Sequence, residues 1–356
     1  RGIVSIYVDG MDSEELILQL DGARGSRVSA ASACSSGSLD ASHVLRAMGH
    51  PAPRMHSARC ASPSTTASTP PCSTASPRRC SRWWPEMRVS DLERALFERF
   101  PAADAESWDH VGLSVGDPDA EVDAVACALD ATAETVRAAH ERGAQVLLTH
   151  HPVYIAAPAA FTPGSPSYPA SGAAVFAAAR LGVSIISMHT NLDRSLEARR
   201  VLPARMGLVA ESSLEHPDDP GAHGLGALCA GPDERLDAFA ARAGAAFCTQ
   251  PRVWGDPASV IGRVAFLGGS LGDFGEAALM AGAEAVVCGE AGYHREQDLA
   301  ARGCAVILLG HDRSEQPFCE ELARAAIQAG VPANHVQIIS DAASWWCATE
   351  GGTPWA

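Results

Sequence analysis

The chain has 356 residues, enough for two or three ordinary domains with a core that needs no disulfide support. Its formal charge of −15 and sequence pI near 5.3 argue against a nucleic-acid surface, which needs clustered cations. All 27 residues counted as Lys or Arg are arginine, so neither a Schiff-base lysine for pyridoxal phosphate nor the phosphate-binding lysine of a P-loop is available.

The sequence contains no run of about 18 apolar residues and no charged-then-apolar leader. Eleven cysteines, an odd number in a large chain, suit reduced thiols. A cytoplasmic protein without a membrane segment is the expectation.

In chain order, residues 1–50 read as folded protein: GIVSIYVDG alternates like a strand, and DSEELILQLD and SHVLRAMG read as short helices. Residues 51–86 are rich in Pro, Ser, Thr, Arg and Cys, with little aliphatic periodicity, and read as a disordered linker. From Met87 a βα rhythm sets in. Ser90 and Glu93 form a capping-box pattern ahead of an amphipathic helix reaching Phe100. AVACALD (124–130) reads as a buried strand, TAETVRAAHERG as a helix closed by Gly143, QVLLTHH as a strand, SGAAVFAAARLG as a helix and VSIISMHTNLD as a strand. A second half repeats the pattern through RVAFLGG, a helix from about Leu271, AEAVVCGE, a helix through LAARG, CAVILLGHDRSE and a last helix through ARAAIQAG. Such alternation predicts an α/β protein with two α/β/α-type halves, roughly 87–215 and 216–356, and mainly parallel or mixed sheets. Sites in these folds form at the strands' carboxyl ends.

Three strands end in potential metal ligands: His150 with His151, then His189 to Asp193, then His311 to Glu315. One His-x-x-x-Glu pair alone is more often a solvated helix pair, but three clusters at equivalent strand ends point to a shared centre. Imidazoles with carboxylates suit zinc, iron, manganese or nickel, and a two-metal site is the economical reading. His311 and Glu315, four apart, are expected at the opening of the last long helix.

WDHVGLSVGD, LLTHHPVYI, MHTNLD, VVCGEAGYH and GHDRSE resemble, in this order, the motif set of the NIF-three-like dinuclear-metal family, often labelled GTP cyclohydrolase type 2 homologues. The resemblance runs from about Met87 to the C-terminus. It implies His150, His151, Asp193, His311 and Glu315 as ligands of two divalent metal ions, Glu315 as the bridging carboxylate, and a toroidal homo-hexamer. Three departures stand out: His110 follows Asp109 where the family has Asn, Ser314 replaces Thr, and SLEARRVLPARMGL lacks the family's Asn-Asp loop. The chemistry implied is metal-assisted hydrolysis of a nucleotide-like small molecule. His189 and His294 are candidates for general acid/base work or substrate contact, or for orienting a ligand instead. The alternative is a non-enzymatic metal-binding or metallochaperone hexamer.

VSAASACSSGSLDASHVLRAMGH, within residues 1–50, resembles the C-terminal part of cysteine desulfurases of the class V aminotransferase group, with Cys34 in the place of the persulfide-forming nucleophile. The cofactor domain and its lysine are missing, so no functional pyridoxal phosphate is expected. SARCASPSTT can be back-translated so that a neighbouring frame gives the usual desulfurase continuation. Residues 1–50 are therefore read as the tail of an upstream desulfurase gene, 51–86 as its out-of-frame continuation, and Met87 as the start of the metal protein. The competing view is a genuine fusion in which Cys34 serves sulfur transfer.

Overall fold

The computed structural model describes residues 86–339 and Trp345. The strand and helices expected in 1–50, Cys34 and the linker of 51–86, apart from Glu86, lie outside the described residues.

Local chemistry sets most element ends. Helix α1 (Val89–Arg99) starts one residue before the expected cap. The Asp91 carboxylate accepts from the Arg88 backbone N–H at 3.1 Å, while Glu93, the presumed cap partner, accepts instead from Leu113 N–H of the first strand. Helix α2 (Ala133–Glu141) opens on a Thr132 cap whose side chain accepts from Thr135 N–H. Helix α3 (Ala170–Leu181) closes on Gly182 in the left-handed region, where a Cβ would be strained.

Two mixed sheets form. The first has the order β1-β4-β3-β2-β11, where β1 is Gly112–Val115, β2 Val125–Ala128, β3 Val146–Thr149, β4 Ser184–Ser187 and β11 Val336–Ile338. Its strands are parallel except for β1 at the edge. The second has the order β5-β6-β8-β9-β10-β7: β5 Ala210–Ser212, β6 Ala227–Arg235, β7 Arg252–Trp254, β8 Val260–Phe266, β9 Ala285–Cys288 and β10 Ala305–Leu308. There β8, β9 and β10 are parallel, and antiparallel strands flank them. The sheets interleave along the chain, for β5 already belongs to the second and β11 returns to the first.

Strand periodicity assigns each side chain to a layer. In β3, Val146 and Leu148 face a core shared by both sheets, while Leu147 faces an outer core under α2 and α3. In β10, Ala305 and Ile307 face the shared core, and Val306 and Leu308 face the outer core of the second sheet. The shared core also takes α1, α5 (Ala198–Arg205), α6 (Leu236–Ala246) and α10 (Phe318–Gln328), after the short α4 (Thr190–Asp193). Helices α7 (Phe274–Met280) and α8 (Tyr293–Ala301) cover the second sheet's outer face.

The last motif differs from expectation. His311 and Glu315 do not open the long helix; they bound a separate one-turn helix, α9 (His311–Glu315), and α10 begins only after Pro317. Proline has no N–H to continue the first helix, so the break re-aims α10 while leaving His311 and Glu315 on one turn.

Candidate metal centre

The carboxyl ends of β3, β4 and β10 converge on one cradle. Backbone pairing runs past β3, with His150 N–H donating to the Ala128 carbonyl at 3.2 Å and His151 N–H to that of Leu129 at 2.9 Å. The two histidines are therefore held in register rather than frayed. By alternation His150 points to the shared core, fully buried against Phe318 with ring centroids 5.1 Å apart. His151 turns toward Asp130, His311 and Glu315.

Glu315 is the hub. Its Oε2 lies 2.8 Å from His151 Nε2 and 3.1 Å from His311 Nε2, and its Oε1 lies 3.8 Å from His150 Nε2. Asp193 Oδ1 stands 3.5 Å from the same His150 nitrogen. The loop after β8 closes over this carboxylate. Gly269 has φ +62°, and a Cβ there would come within 2.3 Å of Glu315 Oε1. Only glycine lets the backbone pass so close.

Each histidine has its second nitrogen engaged. His150 Nδ1 lies 3.0 Å from the Met188 carbonyl, His151 Nδ1 2.8 Å from Asp130, and His311 Nδ1 3.1 Å from Glu290. Acceptors at Nδ1 fix the tautomer that leaves Nε2 as the donor atom toward the cradle. His189 follows the same rule: its Nδ1 lies 2.9 Å from Asp109, and a ring nitrogen of each of His150, His151 and His189 lies within 4.8 Å of the others. Asp109 also accepts from Thr190 N–H and Oγ1.

The electrostatics follow from this geometry. Burial works against the Glu315 charge, but the three facing imidazoles hold its carboxyl well below the usual range. Burial disfavours protonated His151, yet Asp130 and Glu315 raise it to about 10; Glu315 raises His311 to about 9. Burial likewise opposes protonation of His150, and Asp193 and Glu315 together outweigh it. Burial pushes Asp193 up. Asp109 is held far below the carboxylate range, because the bonds from His189 and Thr190 overcome its burial.

The residues fit a metal. His150 Nε2 and Asp193 Oδ1 are buried without a hydrogen-bond partner, and 3.8 Å is too long for Glu315 to satisfy the imidazole. Unmet polar atoms facing each other in a dry cradle are what a cation would satisfy. Two donor groups emerge: His151, His311 and Glu315, and His150, His151 and His189. Beside them opens a cavity of about 480 Å³, lined in part by Trp108, His189, Asp193, His311 and Glu315.

The structure brings His150, His151, His189, Asp193, His311 and Glu315 together. It does not bring His294, which sits exposed on α8 with its ring 5.2 Å from that of Tyr293. Asp109, Asp130 and Glu290 received no role from the sequence. Two of them had a readable signal: Asp130 and Glu290 each follow a buried strand of four at its carboxyl end, where the ligands themselves sit.

Residues 87–342 match the family model described as Duf34/NIF3 (NGG1p interacting factor 3). The chain is 33% identical over 244 residues to the GTP cyclohydrolase 1 type 2 homolog of Streptomyces coelicolor, covering 65% of this chain and 83% of that relative. It is 28% identical over 238 residues to the protein of the same name from Clostridium perfringens, covering 65% and 88%. The fold is similar to that of Staphylococcus aureus protein SA1388, with a TM-score of 0.64 at 23% identity over 74% of this chain and 99% of that one. A Bacillus cereus protein related to NIF3 gives a TM-score of 0.63 at 18% identity, over 75% and 99%. No helix among the described residues is long and apolar enough to cross a membrane.

Proposed function

The chain belongs to the Duf34/NIF3 (NGG1p interacting factor 3) family, and from that premise we propose that its cradle would hold two divalent metal ions through His150, His151, Asp193, His311 and Glu315, and would hydrolyse a nucleotide-like small molecule. The strongest support is the division of donors between the two Glu315 oxygens: His150, with Asp193 3.5 Å from its Nε2, stands toward Oε1, and His151 and His311 stand toward Oε2. Zinc, iron, manganese and nickel all suit this donor set.

When bound, such a metal pair polarises the scissile group and acidifies a bound water. The chain's own residues supply the rest. Asp109 holds His189 through Nδ1, so that its Nε2 is left to take or give a proton at the cavity wall. The Met188 carbonyl, Asp130 and Glu290 keep the three ligand imidazoles from rotating. A purely metal-holding role would suit a cradle closed on all sides, whereas the cavity of about 480 Å³ reaches Asp193, His311 and Glu315 and so favours a reaction.

Metal analysis of the purified chain, paired with a hydrolysis screen that includes GTP, tests this. The expected result is about two metal ions per chain, lost in the His150→Ala, His151→Ala double variant. Unchanged metal content in that variant would sink the proposal. A homo-hexamer is proposed as the working assembly, and sedimentation showing only monomer would remove it. Residues 1–86, with Cys34, are proposed to take no part. Metal loading that depends on Cys34 would instead favour the fusion with a sulfur-transfer role.

A further inference from the structure

Arg199 also borders the cavity, and holding metal gives it no task. It lies in the first turn of α5 and is only 5% exposed. Its Nη1 donates to the Pro220 carbonyl at 2.8 Å and its Nη2 to the Ala222 carbonyl, while Nε is buried with no partner. No carboxylate among the described residues makes an ion pair with it. Asp219 attracts it only from a longer range, and Arg200 repels it, on top of the burial that already disfavours its charge. A guanidinium keeps its proton, so a full positive charge is buried here against two neutral carbonyls. Buried charges are ordinarily paired, and leaving one unpaired is costly.

We infer that Arg199 anchors a phosphate group of the small molecule that enters this cavity, which makes the substrate class a phosphorylated, ring-bearing compound. This rests on the proposal that the cavity serves the cradle's reaction. The fork of a guanidinium matches phosphate oxygens better than it matches a single carbonyl. Trp108 and Phe274 line the same cavity and offer apolar surface to a ring.

The test is calorimetric titration of the metal-free full chain with guanosine 5′-monophosphate and with guanosine, in the wild type, Arg199→Met and Arg199→Lys. The monophosphate is expected to bind the wild type at least about tenfold more tightly than the nucleoside. That preference should vanish in Arg199→Met and persist in part in Arg199→Lys. Arg199→Met leaves the cradle's own residues unchanged, so a preference supplied by the cradle histidines would survive in it, and metal content is read separately on the protein as purified, so failure of the anchor and failure of the metal centre give different results. Equal binding of the two ligands by the wild type, no binding of either, or an intact preference in Arg199→Met overturns the inference. If Arg199→Met does not fold, the wild-type comparison with inorganic phosphate as competitor decides: phosphate must displace the monophosphate and leave guanosine bound, and any other result overturns it.

Discussion

The two sides of Glu315 are built differently. Toward Oε1, His150 is fully buried, and both its Nε2 and Asp193 Oδ1 lack partners. Toward Oε2, the side chains of His151 and His311 are 21% and 41% exposed, and each has a carboxylate at both nitrogens. The inner side leaves those two atoms unmet, a need that a cation would satisfy. The outer side satisfies itself with protons and must give them up to take one. In the proposed centre, metal would supply a missing partner on one side and would compete with protons on the other.

Glu315→Gln should have the largest effect, because it removes the group common to both sides. Metal content is expected to fall close to zero. Three facing imidazoles lose their counter-charge, and breaking a buried charge cluster in this way costs roughly 3–5 kcal/mol. Metal analysis and denaturant unfolding read the two effects; a variant that keeps half its metal would show that the sides do not share this carboxylate. Asp193→Asn and His311→Ala come next. Each is expected to lose one side and keep the other, leaving about half the metal. Complete loss in both would break the distinction between inner and outer.

The proton balance sharpens it further. Without metal at neutral pH, His151 and His311 hold protons, since their values stand near about 10 and about 9. Metal uptake at pH 7 should therefore release protons, measurable as a dependence of the titration heat on buffer ionisation enthalpy. Apparent affinity should fall as pH drops, and the release should fade above about pH 10. The metal-free fold shows the opposite trend. Values raised above the ordinary histidine value of 6.5 contribute stability that is fully present below it and is lost as pH climbs through about 9 to about 10. A buffer-independent heat would mean the outer histidines are already neutral.

Much of this was legible in the sequence because buried parallel strands are uniform apolar runs with polar residues at one end. That signal marked the strands Val125–Ala128, Val146–Thr149, Ser184–Ser187, Ala285–Cys288 and Ala305–Leu308, and with them the six residues that meet at the cradle. The antiparallel strands were not read. Ala210–Ser212 and Arg252–Trp254 are three residues long, and Ala227–Arg235 runs into GPDER, where only one end is buried. Val336–Ile338 pairs with a strand more than 200 residues earlier, and nothing local announces such a partner. The helix break at Pro317 was visible as a residue, but its effect depends on how α10 must pack under β2 and β3. His294 drew notice from its motif alone, and a motif does not say which face of α8 meets solvent.

The smallest predicted effects lie one bond out from the metal ligands. Asp130→Asn removes the carboxylate 2.8 Å from His151 Nδ1 and should weaken metal binding roughly 10-fold, the lower end for an orienting carboxylate. Glu290→Gln should do less, because its contact to His311 is longer at 3.1 Å and its side chain is 59% exposed, so water can take its place. The inner side offers no such lever. His150 is oriented by the main-chain carbonyl of Met188, which no substitution there removes. Competition titration against a chelator would rank the variants. If Asp130→Asn bound metal as tightly as the wild type, His151 would be oriented by its contact with Glu315 alone, and the outer side would be as dependent on that one carboxylate as the inner side is.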